Sequence, residues 1–198
     1  MIDWTLTLLI FLFPLAYSPG PGNMVFAANG ARFGMLRTVP ASAGYHAATW
    51  LVTLAIGYGF ATGLSRLPSL MMGLQWAGAA WLLYLAWGFL RAGRVGVTPE
   101  ARPLGAGGGV LLLVLNPKAY MIIALMFSQF LPGAPGGPVM SVIWITTLFT
   151  LNNLLAFTIW TAAGVRLARA FGREDQARRL NAGFGLALAG AALWLMLG

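Results

Sequence analysis

Long apolar runs fill this chain, and its few charged residues punctuate them. Residues 4–31 hold no charge, nor do 38–65 or 67–90. Residues 103–165 carry a single charge, Lys118, and the 19 residues after Arg179 carry none. Inside the longest of these runs, Pro132-Gly133-Ala134-Pro135-Gly136-Gly137-Pro138 spells a turn. A membrane helix needs about 20 mostly apolar residues. The pattern therefore predicts an all-α integral membrane protein, one membrane domain over residues 1–198, with spans near 4–31, 39–65, 68–90, 107–131, 139–165 and 180–197.

Composition sharpens this. The 198 residues are 59% hydrophobic and 8% charged, where a soluble domain carries about 25% charged residues. No cysteine is present, which excludes disulfides and thiolate metal sites. One histidine and four acids are too few for a metal cage, so neither metal nor cofactor is expected. A membrane enzyme acting on lipid would need an acid/base set, and a single histidine without an intramembrane acid argues against it. Ala16-Tyr17-Ser18 has the small-x-small look of a cleavage site, but no basic n-region precedes it, and the region reads better as one interrupted span.

The net charge of +8 is placed as a topology signal. Arg32 and Arg37 fall in the first loop, Arg91, Arg94 and Arg102 in the third, and Arg166, Arg169, Arg173, Arg178 and Arg179 in the fifth. Only Arg66 lies in an even loop. Basic loops stay cytoplasmic, so the expectation is a multi-pass protein of the bacterial inner membrane with both termini on the periplasmic side. That basic face will attract anionic lipid headgroups. No basic–aromatic interleaving points to nucleic acid.

Prolines then single out two spans. Pro14, Pro19 and Pro21 lie inside the first and Pro117 inside the fourth, while the other seven sit in loops or near span ends. Interior proline removes a helix hydrogen bond. Pro19 is 13 residues from Arg32 and Asn116 is 14 from Arg102, about 20 Å from the charged edge at helical rise. Both breaks thus fall near the bilayer centre. The first span opens one triplet and the fourth opens the next, and three spans per half forces the halves into opposite orientations. Interrupted segments at matching positions of two halves are the sequence mark of a transporter's midplane site. The expected architecture is a 3+3 inverted repeat with helices 1 and 4 broken.

Both breaks restart a helix. Asn116-Pro117 places a capping residue before a proline at the first helical position. Ser18-Pro19-Gly20-Pro21-Gly22-Asn23 offers a capping serine, two prolines and two glycines. Each restart presents free N–H groups and a positive dipole end. Lys118, the chain's only lysine, adds a full charge at membrane depth, where an ionisable group costs several kcal/mol and usually marks a function. Ser18, Pro19, Gly20, Pro21, Gly22, Asn23, Asn116, Pro117 and Lys118 therefore form a candidate anion site sized for a carboxylate. A purely structural role for Lys118, bonded to carbonyls exposed by the breaks, is the alternative.

The Pro19-Gly20-Pro21 turn, Asn116-Pro117-Lys118, six spans in about 200 residues and the Arg-rich fifth loop together resemble the LysE/RhtB amino-acid exporter family. Gly30–Gly34 and Gly78-x-x-Trp81-Leu82-x-Tyr84-Leu85 fit the same pattern. The resemblance covers essentially the whole chain. It implies efflux of amino acids or their derivatives, driven by the proton motive force. Efflux of a metal or another small solute, and an accessory subunit without transport of its own, are the competing readings.

Other polar residues extend the candidate site. His46, the only histidine, is a candidate for proton coupling beside Lys118, or else an inter-helix hydrogen bond. Asn152 and Asn153 sit mid-span, where unpartnered amides are costly. Adjacent helix positions do not share a face, so one is expected to line a cavity and the other to hold a neighbouring helix. Gly59-x-x-x-Gly63 and Gly185-x-x-x-Ala189 are close-packing motifs within one subunit or, alternatively, across a homodimer. Most tryptophans and tyrosines read as interfacial belts or packing.

Asp3, Glu100, Glu174 and Asp175 are the only acids, and none lies within a span. An exporter of lysine or arginine would need a carboxylate for the side-chain cation. The expected substrate is a neutral amino acid or derivative. Cells loaded with dipeptides should expel neutral amino acids when the chain is expressed, and preferential efflux of lysine or arginine would refute this.

Overall fold

The computed structural model describes residues 2–61, 102–132 and 134–170, with isolated positions between 76 and 90 and between 179 and 193. Among the described residues it is all-helical. In chain order the helices are α1 (Ile2–Tyr17), α2 (Pro21–Phe33), α3 (Met35–Ala61), α4 (Ala106–Val114), α5 (Pro117–Phe130) and α6 (Pro138–Ala170). The expected spans at 68–90 and 180–197 lie outside the continuously described residues.

The helices begin and end where backbone chemistry dictates. Pro21 and Pro117 open α2 and α5, at a position whose N–H would be unpaired in any case. Gly34 closes α2 with φ 84 and returns its N–H to the Gly30 carbonyl, a left-handed turn suited to glycine. Pro14 does not break α1, which runs on to Tyr17. The chain turns instead at residues 18–20, where α1 and α2 meet at 62°. α4 and α5 meet at 61° across Leu115 and Asn116.

Among the described residues, α6 alone is by length and composition a helix fit to cross a membrane, and each bent pair adds one candidate if it counts as a single span. α3 is long enough at 27 residues but falls short in hydropathy, because it carries Thr38, Tyr45, His46, Thr49 and Thr53. All five are buried. Its polar groups point into the protein, so a charge-free interval overstated how apolar the helix is. The outward faces are apolar: Leu6, Ile10 and Phe13 on α1 and Leu151, Leu155 and Ile159 on α6 are all exposed. Apolar residues on both faces suit a hydrocarbon surround.

Two apolar clusters fill the interior. One, from α1, α5 and the start of α6, packs Leu8, Leu12, Ile122, Ile123, Met126, Phe127, Val142, Ile145 and Phe149. The other gathers Val25, Phe26, Ala41, Tyr45, Leu112, Leu113 and Phe157 from α2, α3, α4 and α6. The two differ in kind at their helix crossings. α2 and α6 meet backbone to backbone: a Cβ on Gly30 would stand 2.6 Å from the Thr161 carbonyl oxygen, and one on Gly164 would collide with that of Ala27. α3 and α4 repeat the arrangement through Gly44 against Ala106 and Gly109 against Ala41. Gly185, from the second close-packing motif, faces Leu90 and Ala86 of the same chain.

This seam makes two glycines of one helix behave oppositely. Gly107 has open space around it, whereas Gly109 abuts the α3 backbone. Gly107→Ala should be neutral or stabilising by up to about 1 kcal/mol, from helix propensity. Gly109→Ala should cost about 1–3 kcal/mol, from overpacking. Thermal unfolding in detergent separates the two, and equal melting temperatures would show that the seam is absent.

Candidate functional site

The break between α1 and α2 leaves four carbonyls without their helical donors, and each finds a side chain. Leu15 and Tyr17 would have been served by the N–H of residues 19 and 21, both prolines. Leu15 instead accepts from Ser18 Oγ at 3.3 Å, and Tyr17 from Trp160 Nε1 at 3.2 Å. Asn23 Nδ2 donates to the carbonyl oxygens of Ala16 at 2.8 Å and Ser18 at 3.1 Å. The Ser18 carbonyl receives a second donor, Lys118 Nζ, at 3.2 Å. Lys118 Nζ also donates to Ser18 Oγ at 3.0 Å. At the other break, the Asn116 N–H reaches back to Leu113 O at 2.9 Å, and the Tyr120 hydroxyl donates to Val114 O at 3.0 Å. Buried backbone groups must be paired, and here side chains do it, with Lys118 and Trp160 reaching the first break from distant helices.

Lys118 is thus bonded to the opposite break, across 100 residues of sequence. Its two acceptors are neutral, and an ammonium has three protons. Gly20 makes room for it: a Cβ there would lie 2.8 Å from Nζ. Gly20 has extended backbone, φ −159, and neither it nor Gly22 has positive φ. The two glycines at this break supply space rather than a turn. A Cβ on Gly22 would press within 2.7 Å of the Phe157 ring.

The capping expectations need correction. Gly20, not Ser18, holds the N-cap position of α2, and no side chain caps it. Ser18 Oγ is engaged with Leu15 and Lys118 instead. Asn116 does hold the N-cap position of α5, but its side chain makes no cap bond. Its Nδ2 donates to the Tyr45 hydroxyl at 3.2 Å. First-turn N–H groups of α2, on Gly22 and Asn23, have no intrahelical acceptor by helix geometry, while Met24 N bonds Gly20 O at 2.9 Å.

A small, partly open cavity sits where the two apolar clusters meet. Gly20, Gly22, Asn23, Tyr45, Asn116, Lys118 and Asn153 supply its polar wall, and Leu15, Ala16, Leu113, Ala119, Ile122, Phe149 and Phe157 the apolar remainder. Its volume is about 20 Å³, counted as space open to the centre of a water molecule, room for about one water. Of the two central amides, Asn153 lines it and is buried, beside the Tyr45 hydroxyl. Asn152 does not line it, and its buried Nδ2 has no partner. Pro19 is exposed, Pro21 is buried without lining the cavity, and Ser18 reaches it only through Lys118. Pro117 starts α5; its side chain lies outside the described residues.

His46 stands behind this wall rather than in it. Its ring contacts those of Phe26, Tyr45 and Phe157, with centroids 6.5, 5.2 and 5.4 Å away. Nδ1 bonds the Ser42 carbonyl at 2.8 Å, and Nε2 is buried without a partner. Asn116 Oδ1 is buried and unpartnered as well, a state that costs about 1–3 kcal/mol.

Two site features escaped sequence reasoning. Tyr45 is fully buried at the cavity wall and orients Asn116; an aromatic in a span reads as packing, and its only hint is the polar run Tyr45-His46. Asn29 ties three segments together: Nδ2 donates to Thr38 Oγ1 at 2.9 Å, and Oδ1 accepts from the Leu104 N–H at 3.1 Å. A lone Asn near the end of α2 carries no motif, so only the three-dimensional contact shows it.

Comparison with known proteins places this geometry. The family model described as LysE type translocator matches residues 13–198. An uncharacterized membrane protein of Pseudomonas aeruginosa is 31% identical, covering 96% of this chain and 95% of its own. A homoserine/homoserine lactone efflux protein of Salmonella typhimurium is 26% identical over 92% of this chain and 91% of its own. A cysteine/O-acetylserine efflux protein of Salmonella choleraesuis is 27% identical over 90% and 87%. No solved structure matches. The chain belongs to the LysE type translocator family.

Proposed function

We propose that this protein exports neutral amino acids or their derivatives across the bacterial inner membrane, driven by the proton motive force. The observation that carries the reading is the Lys118 ammonium at the cavity wall, bonded across to the opposite break. The efflux relatives support it through their substrates: homoserine, its lactone, cysteine and O-acetylserine have no charged side chain at neutral pH. All four keep an α-amino group, while the lactone has no free carboxylate.

In this reading six spans form two inverted halves, and the bends at 18–20 and 115–116 lie near the bilayer centre. The substrate carboxylate, or the lactone carbonyl, takes the third Lys118 proton and the first-turn N–H groups of Gly22 and Asn23. These donors are fixed before the substrate arrives, and in a largely apolar site they act more strongly than in water. The apolar wall accommodates a short uncharged side chain. The cavity holds about one water as it stands, so it must enlarge to admit an amino acid and open to each side in turn. Proton coupling falls to Lys118, to the substrate, or to His46, whose ring packs against Tyr45 and Phe157 behind the cavity wall. No enzyme activity, cofactor or metal enters the reading.

Efflux from dipeptide-loaded cells tests it across a panel of homoserine, cysteine, O-acetylserine, threonine, leucine and lysine. Wild type should lower the internal level of one or a few neutral members. Lys118→Ala should reduce that efflux at least about tenfold, the loss of a charge-assisted hydrogen bond, while the protein still reaches the membrane. Normal efflux by the mutant would leave Lys118 as a tie for the Ser18 carbonyl and nothing more.

A further inference from the structure

The anion end of the cavity has an unexplained counterpart. Asn116 is 6% exposed and forms part of the cavity wall. Its amide is split between two tasks. Nδ2 is committed to the Tyr45 hydroxyl, and Oδ1 is buried with no donor at all. A capping role would have used this oxygen on the α5 N–H groups, and the side chain has turned away from them. An oxygen acceptor left without a partner on a residue of the cavity wall has a place for a donor from outside the protein.

The surroundings say what kind of donor. Tyr45, Phe149 and Phe157 line the same cavity, and Tyr45 and Phe157 pack with ring centroids 4.6 Å apart. Aromatic faces beside a carbonyl oxygen favour a cation. No carboxylate lines the cavity to overstate the preference. A permanently charged lysine or arginine side chain would need one, whereas an α-ammonium with its own carboxylate on the neighbouring carbon is nearly neutral as a unit. Asn116 and Lys118 belong to the same first turn of α5, so one short rigid segment presents an acceptor and a donor to adjacent groups of one ligand.

We infer that Asn116 Oδ1, held in orientation by the Tyr45 hydroxyl, is the specificity-determining acceptor for the substrate's α-ammonium group, so that the protein selects α-amino compounds over the matching α-hydroxy acids. This rests on the exporter reading above and deepens it. Tyr45 is a positioning residue: it fixes which face of the amide looks into the cavity.

The test uses purified protein in proteoliposomes carrying a proton gradient, with labelled L-homoserine and its hydroxy analogue 2,4-dihydroxybutyrate as probes. The analogue keeps the carboxylate and side chain and exchanges the ammonium for a hydroxyl. Wild type should transport homoserine at least about tenfold better, because the neutral hydroxyl loses the charge-assisted bond to the amide oxygen and the attraction of the rings. Asn116→Asp keeps the shape and the acceptor and should preserve that preference. Asn116→Leu should bring the ratio close to one by losing homoserine transport, and Tyr45→Phe should lower the ratio part of the way. A wild-type ratio near one would overturn the inference. So would an Asn116→Leu protein that melts normally and loses both probes in equal measure, since that marks a role in positioning the helix or an amide whose NH2 faces the cavity. Transport of neither probe by wild type, alongside a failed efflux panel, would sink the exporter reading and the subsite with it. Failure of the ratio alone would leave the exporter reading standing.

Discussion

The structure depends on backbone carbonyls that prolines have left without donors. Pro19 and Pro21 cannot serve Leu15 and Tyr17, and the turn that follows strands Ala16 and Ser18. In hydrocarbon each unpaired carbonyl would cost several kcal/mol, and water is not there to help. Ser18, Asn23, Lys118 and Trp160 take the four carbonyls. Two of these donors come from other helices, so a local defect in α1–α2 becomes a tertiary constraint. α5 and α6 are pinned to the break by the same bonds that make the break tolerable.

That repair also places the chemistry. Lys118 stands at the cavity wall because the Ser18 carbonyl holds it there, and Gly20 is small because the lysine needs the space. Its partners are neutral, so its charge is solvated without being cancelled. A lysine paired with a buried carboxylate would have its charge cancelled by that partner. One held by a serine carbonyl and hydroxyl keeps its attraction for an anion and sits in a defined place. In the proposed exporter reading, the structural tie and the anion-binding role of Lys118 are one arrangement seen from two sides.

Much of this was legible in the sequence for a physical reason: charge and proline are costly in an apolar helix. Lys118, Pro19, Pro21 and Pro117 stand out against residues that would cost nothing, and they mark both bends. The Asn152-Asn153 pair stood out likewise, but not which of the two lines the cavity. The unread parts depend on partners distant in sequence. Nothing local distinguishes Gly109, which touches the Ala41 carbonyl, from Gly107, which touches nothing. Tyr45 looks like any aromatic in a span until Asn116 is seen bonded to it. Asn116 followed by proline has the form of a helix cap, and local propensity was overruled because a hydroxyl from α3 competes for its amide. α3 itself was taken as apolar for want of charges, although its hydroxyls and imidazole make it the polar lining of the bundle.

The two packing styles around the cavity bear on how it enlarges. Where α2 crosses α6 and α3 crosses α4, glycines bring backbones together, and a carbonyl oxygen faces each Cα. Such a seam has no rotamers to change and resists sliding, because any shift drives main chain into main chain. On the other side of the cavity, α1, α5 and α6 meet through Leu, Ile, Met and Phe side chains. Long side chains exchange contacts by rotating, and Met126 in particular adapts to a changed shape. Room for a substrate thus costs least on the side-chain-packed face, with the glycine seams carrying α2–α6 and α3–α4 as rigid pairs. In the proposed exporter reading the bends would supply the hinge, since helix hydrogen bonds are already absent there, and the Lys118–Ser18 bond is the contact that an arriving carboxylate would compete for.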